Sequence, residues 1–89
     1  MIGPQQYKLP EGIYEGYCQN NQPHGYGILK YTHGNVYEGD FENGLRHGKG
    51  TFRYTEGHVY EGQWQDNKRH GHGTLKYAPG YKYKDDVPD

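Results

Sequence analysis

The stretch Val36-Tyr37-Glu38-Gly39-Asp40-Phe41-Glu42-Asn43-Gly44-Leu45-Arg46-His47-Gly48-Lys49-Gly50-Thr51-Phe52-Arg53-Tyr54 holds two alternating runs with Asn43-Gly44 between them. Asn-Gly is the strongest short-range hairpin signal, because the two-residue turn that matches strand twist needs positive φ at both central positions. A two-residue turn there pairs Phe41 with Arg46, Gly39 with Gly48 and Tyr37 with Gly50. Side chains alternate along a strand, so Tyr37, Phe41, Phe52 and Tyr54 fall on one face.

The hairpin is one copy of a repeat. Tyr-Glu-Gly begins at Tyr14, Tyr37 and Tyr60, and the same interval separates His24, His47 and His70, then Gly27, Gly50 and Gly73, then Tyr31, Tyr54 and Tyr77. A fixed interval carried by this many positions marks an array of one supersecondary unit. The turn dipeptides of the other copies are Asn20-Asn21 and Asp66-Asn67, and Asn and Asp are the non-glycine residues that best tolerate positive φ. For Tyr60 and Trp64 to stay on the aromatic face, Tyr54 pairs with Tyr60 across a five-residue loop, Thr55 to Val59. One even and one odd connection give an odd period of 23.

The fold class expected is therefore all-β: a single-layer, twisted antiparallel meander of stacked hairpins, with strands near 13–18, 26–31, 36–41, 49–54, 59–64 and 72–77. Repeats span 14–36, 37–59 and 60–82. Residues 1–11 form a lead segment from which Tyr7 and Leu9 reach the aromatic stripe. At 83–89 a fourth unit starts and fails, since Lys84 and Asp85 replace Glu and Gly and Pro88 follows. The single alanine, Ala78, and the 15 glycines among Tyr, Thr, Val and Phe disfavour helix throughout.

Composition limits the function. Hydrophobic residues are 30% of the 89, and 11 tyrosines supply much of that, so apolar burial rests on rings more than on aliphatic side chains. A net charge of -1 provides no general field for nucleic acid. One cysteine, Cys18, excludes an internal disulfide, and no apolar run approaches the ~20 residues of a membrane span, so a cytoplasmic protein is expected.

The repeated Tyr-Glu-Gly followed by a turn and His-Gly-x-Gly, over roughly residues 12 to 82, resembles the MORN repeat family, whose pattern is Tyr-x-Gly-x-aromatic, a turn, then Gly-x-Gly. Cys18 departs from it at the aromatic site held by Phe41 and Trp64. The resemblance implies a sheet used for protein docking, self-association and in some cases phospholipid contact, in cytoskeletal, ciliary or peripheral-membrane settings.

The chemical readings give way to architectural ones. His24, His47 and His70 lie two strands apart, about 9–10 Å, too far to share one metal, so no metal or cofactor is expected. There is no serine, and the carboxylates Glu15, Glu38 and Glu61 form a ladder in place of a convergent set, which argues against an enzyme. In the register above Glu38 faces Lys49 and Lys30, and Glu61 faces Arg53. The favoured reading is a non-catalytic interaction module whose exposed stripe, Tyr14, Tyr37, Phe41, Tyr54, Tyr60 and Trp64, receives a partner helix or extended peptide. The alternative is an anionic-lipid or phosphoinositide module using Arg46, Lys49, Lys68 and Arg69 near the turns. A homodimer through the N-terminal edge at Ile13 and Tyr17, or through the aromatic face, is the companion expectation.

Overall fold

The computed structural model describes residues 2–80 of the chain. These residues form one open sheet of antiparallel strands in chain order: β1 (Ile2–Leu9), β2 (Gly12–Gln19), β3 (Gln22–Tyr31), β4 (Val36–Glu42), β5 (Leu45–Arg53), β6 (Val59–Gln65) and β7 (Lys68–Lys76). The predicted meander is present, and among the described residues no helix interrupts it. The lead segment, expected to lie over the stripe, is itself a strand: β1 pairs with β2 through Tyr7↔Tyr14 and Leu9↔Gly12. The start of a fourth unit at 83–89 lies outside the described residues.

All three hairpin turns adopt the left-handed backbone that their sequences require. Both residues of each pair have positive φ: Asn20 and Asn21 at 53° and 63°, Asn43 and Gly44 at 52° and 84°, Asp66 and Asn67 at 49° and 72°. The turns also stack on one another along one margin of the sheet. Gly44 N–H donates to the Pro23 carbonyl at 2.9 Å, and Asn67 N–H to the Arg46 carbonyl at 3.0 Å. His24 takes part, its Nδ1 accepting from Asn43 N–H at 3.2 Å.

The register differs from the one read off the turn alone. Phe41 does pair with Arg46, but Gly39 pairs with Gly50 and Tyr37 with Phe52. Between these points Asp40 alone opposes His47, Gly48 and Lys49, so β5 carries a bulge with φ of 79° at Gly48. The next connection pairs Phe52, not Tyr54, with Tyr60. Glu38 therefore faces Thr51 and Ile28, and Glu61 faces Thr51 and Thr74; the predicted pairs with Lys49, Lys30 and Arg53 do not form as direct neighbours. Equivalent register shifts occur between Gly16 and Cys18 and between Gly62 and Trp64. Each bulge adds an even number of residues, which leaves every side chain on its predicted face.

The bulges align the repeats. A straight row crosses the sheet from Tyr7 through Tyr14, Leu29, Tyr37, Phe52 and Tyr60 to Leu75. Beside it runs a row of glycines, Gly16, Gly27, Gly39, Gly50, Gly62 and Gly73. Each motif tyrosine lies flat over this row. A β-carbon on Gly50 would sit 2.1 Å from the Tyr37 hydroxyl oxygen, one on Gly27 2.3 Å from that of Tyr14, and one on Gly73 2.0 Å from that of Tyr60. The hydroxyls then reach the bulge carbonyls, with Tyr14 donating to Tyr17 O at 2.5 Å, Tyr37 to Asp40 O at 2.8 Å and Tyr60 to Gln63 O at 3.4 Å.

This arrangement explains how one layer of sheet holds a core. Phe41 stands edge-on between Tyr14 and Tyr37, with centroids 5.1 and 5.0 Å away, and Trp64 does the same between Tyr37 and Tyr60 at 5.4 Å each. Rings at right angles cover one another's faces, the geometry their quadrupoles favour. Tyr14, Cys18, Leu29, Tyr37, Phe41, Phe52, Tyr60 and Trp64 form one buried cluster.

Candidate functional site

The aromatic stripe is not the exposed face expected from the sequence. Tyr14 and Tyr37 are fully buried, Phe41, Trp64 and Tyr60 retain at most 7% of their surface, and Tyr54 packs half-buried against the cluster. A single layer of sheet suggests an open stripe, but each ring laid over glycine and against the next ring covers it. Burial pushes the Tyr14 and Tyr37 phenols well above the ordinary tyrosine range.

The basic set divides in the same way. The Arg46 guanidinium lies over Trp64 at 4.8 Å and Phe52 at 5.1 Å, and donates to the Tyr31 hydroxyl at 3.0 Å and the Asn67 carbonyl at 2.7 Å. It is a lid on the core. Arg69 lies over Tyr60 at 5.1 Å. Only Lys49 and Lys68 of the four are exposed, and Lys49 is on the opposite face. The N-terminal edge is also changed, since β1 covers the β2 backbone and leaves Ile13 and Tyr17 on a sheet face, not at an edge.

That opposite face carries a broad groove. A groove of ≈ 920 Å³ crosses the strands from Tyr26 on β3 to His72 on β7, floored by the backbone of Gly39, Gly50, Gly62 and Gly73. One wall is the row Glu38, Thr51, Glu61, Thr74, which continues through Ile28 to Glu15. The other holds Tyr26, Asp40, Lys49, Gln63 and His72. A third row, toward the inter-repeat loops, is Lys8, Ile13, Lys30, Val36, Arg53, Val59 and Lys76.

The groove walls are tied to the bulges by hydrogen bonds. Asp40 accepts from Lys49 N–H at 3.2 Å, and Gln63, one repeat on, accepts from His72 N–H at 3.3 Å. These two side chains cap amides that the bulges leave outside the ladder. Arg53 reaches Glu38 at 3.7 Å, both well exposed, and Tyr26 donates its hydroxyl to Glu38. Glu38, by accepting that bond, holds the Tyr26 phenol above its ordinary range. Beyond Tyr26 the face adds apolar surface between its charged rows: Ile13, Tyr17 and Tyr26 are the exposed large hydrophobic residues among those described. The signal for this face was present in the sequence, because Glu15, Glu38 and Glu61 recur at the repeat interval, yet it reads as pairing until the bulges are placed.

A MORN repeat profile matches three consecutive segments, residues 14–36, 37–59 and 60–80. The chain belongs to the MORN repeat family. The MORN repeat is a non-enzymatic module associated with protein and membrane interaction. Its Tyr-x-Gly motif is here a device for burying a ring on a single sheet: tyrosine covers the glycine row and bonds the bulge carbonyl three residues on. No curated protein matches this MORN chain. Among the described residues no helix is long and apolar enough to cross a membrane.

Proposed function

We propose that this MORN chain is a non-catalytic protein-interaction module whose docking surface is the glycine-floored face, with the aromatic stripe serving as its core. The groove carries this reading. It is open, side-chain-free along its floor, and continuous with the exposed Ile13, Tyr17 and Tyr26. The stripe Tyr14, Tyr37, Phe41, Tyr60 and Trp64 acts indirectly, by holding the strands in lateral register. Membrane docking through Arg46 and Arg69 is disfavoured, since both guanidiniums are committed to rings of their own chain.

The test is capture by the immobilised chain and by a Thr51→Trp variant, which fills the groove and leaves every charge in place. Proteins retained by the wild type and lost on Thr51→Trp are the expected result. Equal retention by both, or retention of anionic vesicles alone, overturns it.

A further inference from the structure

We infer that the groove accepts a cationic segment in the polyproline II conformation, laid across the strands with a basic side chain at every third residue. This rests on the reading of the glycine-floored face as the docking surface, and it names the occupant.

Spacing is the first argument. Glu15, Glu38 and Glu61 occupy one row, each two strands from the next. At 4.7–4.9 Å per strand the interval is ~9.4–9.8 Å, and the whole row spans ~19 Å. A polyproline II helix repeats every three residues at ~9.3 Å, so two turns stay within about 1 Å of the carboxylates along the row. An α-helix brings like side chains back after seven residues at ~10.5 Å and overshoots the row by about 1.4–2.2 Å. An extended strand repeats one face at ~6.6–6.8 Å and meets the carboxylates out of step.

The second argument is backbone chemistry. Strand addition is closed to a ligand here, because the strands beneath the groove already exchange their hydrogen bonds with each other. A polyproline II chain keeps its carbonyls free and needs donors. Lys49, Gln63 and His72 supply them from the wall facing the carboxylates, and Thr51 and Thr74 from the carboxylate wall itself. Tyr26, exposed at the β3 end, offers the ring on which a proline packs.

Charge is the third. Glu38, Asp40 and Glu61 line the groove against Lys49 and Arg53, Glu15 extends the acidic row beyond it, and Lys8, Lys30 and Lys76 continue the row of Arg53 on its outer side. The bond from Arg53 to Glu38 is long and solvent-exposed, so a ligand cation competes with it readily. An anionic ligand laid along the carboxylate row is repelled by it.

The experiment titrates fluorescent peptides, each with three charged residues, into the folded chain: a nine-residue Arg-Pro-Pro repeat, its Glu-Pro-Pro counterpart, a nine-residue proline-rich peptide with arginine at every fourth position, and a fifteen-residue helical peptide with arginine at every seventh. We expect the Arg-Pro-Pro peptide to bind at least ten-fold more tightly than the other three. That advantage should fall at least ten-fold in Glu38→Gln/Glu61→Gln, with the circular dichroism of the chain unchanged. Equal affinity for both arginine-proline spacings, preference for the helix, or indifference to Glu38→Gln/Glu61→Gln overturns the inference. If extract proteins are lost on Thr51→Trp while no peptide binds, the occupant is wrong and the docking surface stands. Capture that ignores Thr51→Trp removes both.

Discussion

The Tyr37 hydroxyl donates to the Asp40 carbonyl at 2.8 Å while its ring lies so close over Gly50 that a β-carbon there would be 2.1 Å from the hydroxyl oxygen. One side chain thus fixes the bulge on its own hairpin and forbids a side chain on the facing strand. Glycine at position 50 leaves room for the Tyr37 ring, and the hydroxyl secures the bulge.

Gly50→Ala is expected to destabilise the chain by about 3 kcal/mol, the upper part of the overpacking range, since the ring cannot move without leaving Phe41 and Trp64. In a Tyr37→Ala background the same change should cost under about 1 kcal/mol, because the clashing ring is gone. Urea midpoints of the four chains measure the coupling. Additive effects would show that the ring and glycine 50 are not the pair that sets the register.

Arg46→Ala is expected to cost about 2 kcal/mol, from a cation–π contact and hydrogen bonds donated by a charged group. Arg46→Lys should recover less than half of that, because an ammonium cannot span the Tyr31 hydroxyl, the Asn67 carbonyl and the Trp64 face together. Arg69→Ala, with the Tyr60 ring contact at 5.1 Å, should cost under about 1 kcal/mol. Thermal unfolding ranks the three, and an equal loss for both arginines would return them to the surface.

The chain should lose stability in alkali. Burial raises the Tyr14 and Tyr37 phenols above the unfolded value, so folding favours the protonated form. Their contribution is fully present below pH ~10, where an unfolded tyrosine is still neutral, and is lost as pH rises from there toward the folded values. Phenolate absorbance and circular dichroism followed together should show the last tyrosines ionising only as the sheet melts. Tyr37→Phe should be less stable at neutral pH by about 1 kcal/mol and less sensitive to alkali. Full ionisation of all tyrosines with the sheet intact would remove this account.

Sequence alone sets the period, the strand order and the faces. Each of these is local or follows from parity: Asn43-Gly44 and its equivalents demand a two-residue turn, and an alternating strand keeps its faces whatever even number of residues a bulge adds. It did not determine which residues lie opposite one another. Gly48 at positive φ and Asp40 capping the Lys49 amide shift the pairing between the turn and the glycine row, and neither leaves a mark in the alternation. Nor did it determine exposure. Whether Tyr14, Tyr37 and Trp64 face water depends on rings from neighbouring repeats closing over one another at right angles, and, for Tyr37 and Trp64, on Arg46 reaching back across the turn to cover them. That is a contact between residues distant along the chain, and only the folded sheet brings them together. The same closure uses up the aromatic face and two of the four basic residues, and leaves the glycine-floored side as the proposed docking surface.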